Sequence, residues 1–311
     1  MQAFGPVPSR RLGQSIGINN IPPKNCTYSC IYCQLGKTQN MKIKRQIFYK
    51  PQEIHEAVEN KIKRALNKEE AIDYLTFVPD GEPTLDINLG KEIEMLRSLN
   101  INIAVITNSS LLWKKDVQED LLNADLVSVK IDTANEMNWK KINRPYRSLK
   151  ISKILSGITE FSRNYYGDLI TETMIIRNIN NNNQEFEMIA EFIEKLNPKR
   201  SYISIPIRPP AEKFVSPPKE FDINIAYQVF KKRGIDIELL TGGEGNTFAF
   251  TGDVEEDLLS ITQVHPMIKE SVINFLSKAK ADWNIIKKLI NDGKLIELNY
   301  RGKKFYMRKL H

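Results

Sequence analysis

From residue 14 to about 245, short apolar runs alternate with stretches whose apolar positions recur at helical spacing. Residues 15–18 predict a strand, and residues 53–66 carry Ile54, Val58, Ile62, Ala65 and Leu66 on one helical face. Further strands are predicted at 74–78, 103–106, 126–131, 169–176, 202–207 and 237–240. Helices are predicted between them at 89–99, 116–122, in segments through 158, at 184–196 and at 223–232. Strands alternating with helices imply parallel βαβ units with right-handed crossovers. Six or seven such units suit a barrel or partial barrel better than a flat sheet. Chemistry in such barrels gathers on the loops after the C-terminal ends of the strands. Residues 253–311 break the rhythm, with helices predicted at 255–262, 268–276 and 281–291. A hairpin follows, formed by 294–298 and 305–307 around the turn at Tyr300–Lys303, and three short helices before a hairpin is the pattern of a winged helix. The division expected is therefore 1–250 and 251–311.

Composition narrows the class. With 311 residues, 41% hydrophobic and 27% charged, and a mean hydropathy of −0.38, the chain can build a sizeable core and is not mostly disordered. No run approaches the roughly 18 apolar residues of a membrane span. The first residues lack the apolar stretch of a secretory signal, so a cytoplasmic protein without membrane attachment is expected. The net charge is +7. Residues 264–311 hold the whole excess, because their Lys and Arg residues outnumber Glu270, Asp282, Asp292 and Glu297. An anionic partner is one reading, with Arg301, Lys303 and Lys304 laid along nucleic-acid phosphates. A lysine-rich solvated surface and a protein docking module are the others.

The only cysteines, Cys26, Cys30 and Cys33, fall within eight residues. An odd number so tightly spaced cannot make a disulfide framework and points to a metal. Three thiolates on one loop can hold three irons of a cubane cluster and leave the fourth iron without a protein ligand. The competing reading is a zinc knob completed by His55, His265 or His311, none of which shows a matching spacing.

The Cys-x3-Cys-x2-Cys loop, with Tyr32 before its third cysteine, resembles that of the radical S-adenosylmethionine enzymes. After the second barrel strand, Pro79-Asp80-Gly81-Glu82-Pro83-Thr84 is similar to that family's Gly-Gly-Glu motif, with Asp80 in place of the first glycine. After the third, Thr107-Asn108-Ser109 is similar to its Thr-Asn-Gly segment. Gly5-Pro-Val-Pro-Ser-Arg-Arg-Leu-Gly, Cys33-Gln-Leu-Gly and Arg208-Pro-Pro look like the branch of iron–sulfur oxidoreductases related to tRNA wyosine synthase. The likeness spans roughly residues 4–245. It implies an α/β fold, a partial (β/α)6 TIM-type barrel, here with a small C-terminal winged-helix-like domain.

The resemblance also implies a 4Fe–4S cluster on Cys26, Cys30 and Cys33, with S-adenosylmethionine chelating the open iron. Reductive cleavage would give a 5′-deoxyadenosyl radical that takes a hydrogen atom from substrate, and a reductant such as flavodoxin or ferredoxin would supply the electron. Gly81 and Glu82 are expected to accept from the methionyl ammonium, and Tyr32 to sit near the adenine. Thr107 and Asn108 either reach the cofactor or cap the next helix. Ser128, Lys130 and Asp132 alternate and so share a face, as do Glu172 and Met174. Buried there unpaired they would be costly, which favours a polar site or an ion pair. Lys130 or Arg177 is expected to contact the methionyl carboxylate or an anionic substrate, and Arg10-Arg11 to contact phosphate or brace the loop. The wyosine synthases carry extra N-terminal cysteines for a second cluster. No cysteine precedes Cys26, which puts that pyruvate-dependent reaction in doubt. Two function classes follow: a radical enzyme acting on a substrate for which RNA is a candidate, or a winged-helix nucleic-acid-binding or adaptor protein whose barrel senses redox or metal status.

Overall fold

The computed structural model describes residues 2–242 and 248–309. Eight strands form one sheet whose spatial order is the chain order: β1 (Ala3–Ser9), β2 (Gly13–Ile18), β3 (Tyr74–Phe77), β4 (Asn102–Thr107), β5 (Leu126–Lys130), β6 (Asp168–Met174), β7 (Arg200–Ser204) and β8 (Ile237–Leu240). β1 and β2 pair antiparallel, and every later neighbour pairs parallel. The sheet does not close, and β1 and β8 are its edges. This is the expected partial α/β barrel, with seven parallel strands.

The apolar runs of the parallel strands reflect burial on both faces. Val105, Val127, Val129 and Ile203 join the core under the outer helices, while Ala104, Leu126, Ile170 and Tyr202 form a smaller cluster of their own. Strand alternation therefore puts Ser128 and Lys130 on the side of Leu126, opposite Val127 and Val129. The crossovers are α1 (Pro51–Leu66), α2 (Leu89–Leu96), α3 (Lys115–Leu121), α4 (Glu136–Asn143), α5 (Ile151–Asn164), α6 (Asn183–Leu196) and α7 (Glu220–Lys232). The predicted helices match these within a few residues. β1 lacks a clear alternation and carries Pro6 and Pro8, which argue against a central strand. As an edge strand it tolerates both.

The remaining residues form α8 (Val254–Val264), α9 (Lys269–Lys278) and α10 (Asn284–Asn291), then a hairpin of β10 (Leu295–Tyr300) and β11 (Lys303–Arg308). The two-residue strand β9 (Met267–Ile268) pairs with β11, an element too short to leave a periodic signal. Phe248, Leu258, Val272, Phe275, Ile286, Leu289 and Tyr306 make a second core. Phe248 lies on the barrel side of the expected boundary at 250 yet packs in this second core. No helix among the described residues is long and apolar enough to cross a membrane.

Candidate functional site

The cysteine loop is clamped from two sides. On one side, Lys24 N–H donates to Asp80 O at 2.8 Å and Glu82 N–H to Asn25 O at 3.1 Å, tying the loop to the segment after β3. On the other, Ile31 N–H donates to Ile142 O and Tyr146 N–H to Thr27 O, both at 2.9 Å, tying it to the end of α4. Gly81 is dictated by the first clamp, since a Cβ there would lie 1.9 Å from Asn25 O. Within the loop, Cys33 N–H donates to Cys30 O at 3.1 Å, which folds the last two cysteines into a turn.

All three thiols are unbonded and partly buried. Burial raises the Cys26 thiol to about 12, and it also raises Cys30 and Cys33. A positive group bound at the sulfurs favours the thiolate form against that burial. Two amide donors already point at the sulfurs: Asn108 Nδ2 lies 3.4 Å from Cys26 Sγ and Asn143 Nδ2 lies 3.5 Å from Cys30 Sγ. Hydrogen bonds to sulfur are a lever that sets cluster potentials. The donor set therefore fits an iron–sulfur cluster. Among the described residues, no three His, Cys, Asp or Glu side chains converge tightly enough to hold one metal ion. A cubane has no such requirement, because its thiolates sit on different irons. Of the histidines considered for a zinc knob, His265 contacts Arg208 Nη2 at 3.0 Å and packs edge-on to Phe248, while His311 lies outside the described residues.

Glu82 is fully buried and accepts four hydrogen bonds, from Thr84 N, Thr84 Oγ1, Thr107 Oγ1 and Asn108 N. Its carboxylate is thus a brace joining the loops after β3 and β4. An ammonium group would have to compete with those donors. Thr107 acts through this brace, and it also accepts from Ser109 N. Asn108 bonds both Cys26 Sγ and Thr27 Oγ1, placing it beside the cysteine loop; its Oδ1 also accepts from Ser110 N.

Across the barrel, Lys130 and Glu172 are register partners on β5 and β6, and their side chains pair at 2.8 Å. Arg11 also pairs with Glu172, and Ser204 Oγ donates to it at 3.1 Å. Arg11 thereby braces a barrel carboxylate. Burial lowers the Lys130 ammonium pKa, opposed first by Asp132. Lys130 Nζ stands 5.2 Å from the Tyr32 ring centroid, a cation–π distance. Tyr32 donates its hydroxyl to Asp132 Oδ2 at 2.5 Å, and burial followed by the Asp132 charge holds that phenol well above its usual range. Asp132 also accepts from Asn143 Nδ2 at 2.8 Å and Met174 N at 3.0 Å. Ser128 lies one pleat deeper on β5 and is buried. Arg177 stands apart from this set: it is exposed beyond the end of β6, and no ion pair joins it to another described residue.

The expected residues Tyr32, Lys130, Asp132 and Glu172 therefore form one network facing the cysteines, and Gly81, Glu82, Thr107 and Asn108 form a second around Cys26. Sequence reasoning missed Asn143, which bonds both Cys30 and Asp132. Nothing in the local pattern of α4 marks that residue. It also missed Gln263 of α8, whose amide donates to the buried Asp80.

Comparison with known proteins yields three findings. The family profile of the radical SAM superfamily matches residues 20–193. A UPF0026 protein of Methanocaldococcus jannaschii is 52% identical over 310 residues, covering 99% of this chain and 96% of that protein. Among solved structures, a radical SAM methyltransferase from Sphaerobacter thermophilus superposes with a TM-score of 0.57 at 15% identity, over 73% of this chain and 66% of that one.

Proposed function

The chain belongs to the radical SAM superfamily, and from that premise we propose that it holds a 4Fe–4S cluster on Cys26, Cys30 and Cys33 and generates a 5′-deoxyadenosyl radical. It is an enzyme of the radical SAM oxidoreductase or transferase type, and such enzymes use this cluster together with S-adenosylmethionine. The cluster, when bound, supplies the electron that breaks the sulfonium C–S bond. The chain's own residues position and shield. Asn108 and Asn143 donate toward Cys26 and Cys30. Gly81 lets the segment after β3 approach the loop closely enough for its backbone carbonyls to accept from a methionyl amine. Lys130, held by Glu172 beside Tyr32, offers a cation to the methionyl carboxylate or to an anionic substrate. Tyr32, fixed by Asp132, offers its ring face to the adenine.

A substrate reading follows from a cavity of about 380 Å3 where Arg208, after β7, meets the C-terminal hairpin. Arg301 and Lys303 line it beside Tyr300 and Phe305, a basic and aromatic combination suited to single-stranded nucleic acid. On this reading the C-terminal unit is winged-helix-like and presents an RNA substrate to the barrel mouth. A purely regulatory protein is the weaker reading, because half-buried Lys130 and buried Asp132, linked through Tyr32, belong to a polar network beside the cysteines that binding alone does not need.

The single observation carrying the proposal is the pair of amide donors, Asn108 Nδ2 and Asn143 Nδ2, aimed at the Cys26 and Cys30 sulfurs of a loop that bears three partly buried thiols. Anaerobic reconstitution is expected to give close to four irons per chain, with release of 5′-deoxyadenosine on reduction with dithionite. Cys30→Ala is expected to abolish both. Full iron loading without release of that nucleoside overturns the proposal.

A further inference from the structure

A second cleft, of about 350 Å3, lies at the open end of the hairpin, where Ile296 of β10 and its register partner Met307 of β11 meet the cysteine loop. Lys24, Lys37, Arg308 and Lys309 line it, and no carboxylate does among the described residues. Its apolar part comes from Leu35, Ile296 and Met307. Lys37 and Lys309 are exposed. Lys37 lies 3.4 Å from Glu212, a carboxylate already engaged by Arg144, and that exposed pair offsets little of its charge.

Position distinguishes this cleft from an ordinary basic surface. Leu35 is two residues beyond Cys33 in the chain. Gly36 N–H donates to Cys33 O at 3.1 Å, so the cleft wall and the cysteine belong to one tight turn. None of the residues lining the pocket at Lys130 and Asp132 lines this cleft. One face of the loop thus meets the barrel interior while another meets a basic hollow open to solvent.

We propose that this cleft docks an acidic one-electron donor protein, which reduces the cluster through the turn Cys33–Gly36. The inference rests on the cluster reading above and adds the surface at which the reductant docks. An apolar centre within a charged rim is the anatomy of a protein–protein contact. Excess positive charge selects an acidic partner and speeds its encounter. Among the described residues the hollow has no aromatic side chain on which bases could stack, which sets it apart from the cavity at Tyr300 and Phe305. The step balances as one electron lost by the donor and one gained by the cluster, with no bond made or broken at the interface.

The test uses anaerobically reconstituted enzyme with flavodoxin as the probe, and charge reversal by K37E/K309E. Flavodoxin affinity is expected to fall at least about tenfold at low salt, with wild type and variant converging at high salt as screening shortens the interaction. The charge-keeping K37R/K309R is expected to bind like wild type. Flavodoxin-driven release of 5′-deoxyadenosine should fall in parallel, while dithionite-driven release stays within about twofold. Unchanged flavodoxin affinity in K37E/K309E overturns the inference, as does a loss of bulk tRNA binding with flavodoxin binding intact. Failure of dithionite-driven release in the wild-type enzyme instead removes the cluster reading, so the two failures are distinguishable.

Discussion

Two buried glutamates show how far a residue's surroundings decide its role. Burial raises both carboxyls, yet Glu82 accepts four hydrogen bonds, while among the described residues neither Glu92 oxygen has a donor in hydrogen-bonding geometry. Burial, reinforced by Asp86, lifts Glu92 to about 9, so the folded protein keeps this proton at neutral pH. Below the unfolded-chain value, near 4.3, both states hold the proton and that stability is fully present. Above it only the unfolded chain releases the proton, so stability falls by about 1.4 kcal/mol per pH unit until about pH 9. Gln at position 92 removes this dependence. Thermal unfolding of E92Q and wild type is expected to diverge from pH 5 to pH 8.5, with the variant gaining. Parallel curves across that range would refute the assignment. The sequence marks Glu92 only as one polar position in an amphipathic helix, because a lack of partners is a property of neighbours that are distant in the chain.

At the scale of elements, the site is a set of loops held at fixed spacing by strands. The strands were legible because apolar runs bounded by polar loops leave few alternatives. β1 was not, since its prolines are acceptable only at an edge, and edges exist only once the sheet is assembled. Gly81 joins two elements: the segment after β3 touches the cysteine loop so closely that Gly81→Ala sets a methyl carbon against Asn25 O. Relieving that overlap is expected to cost about 1–3 kcal/mol. The expected outcome is a lowered melting temperature together with reduced iron content after reconstitution. Normal iron loading in a destabilised variant would confine Gly81 to packing.

For the whole molecule, the C-terminal unit is fastened to the barrel by buried polar contacts as well as apolar ones. Lys61 of α1 pairs with Asp257 of α8 at 3.1 Å, with side-chain exposures of 4% and 2%, and Thr251 bonds both. Removing one partner strands a buried charge. Asp257→Ala is expected to cost about 3–5 kcal/mol in urea unfolding, whereas K61M/D257L should be nearly neutral. An equal loss in both variants would show that the pair is net stabilising. The fastening also has consequences for function, since the hairpin it positions lines the clefts at Arg301 and at Lys309.

The sequence by itself determined the alternation of strands and helices, the three-thiol loop and the motif positions after the strands. Each depends on residues close together in the chain, whose periodicity or spacing is itself the signal. Tertiary structure alone decided that Glu82 is a brace, that Lys130 pairs with Glu172 and Arg11, and that Asn143 reaches Cys30. It alone also showed that Arg177 is exposed beyond the end of β6 and that the C-terminal hairpin flanks the cysteine loop. These depend on strand register and on chain segments brought together across tens to hundreds of residues. The energy of burying a charge, which settles each case, exists only after that assembly.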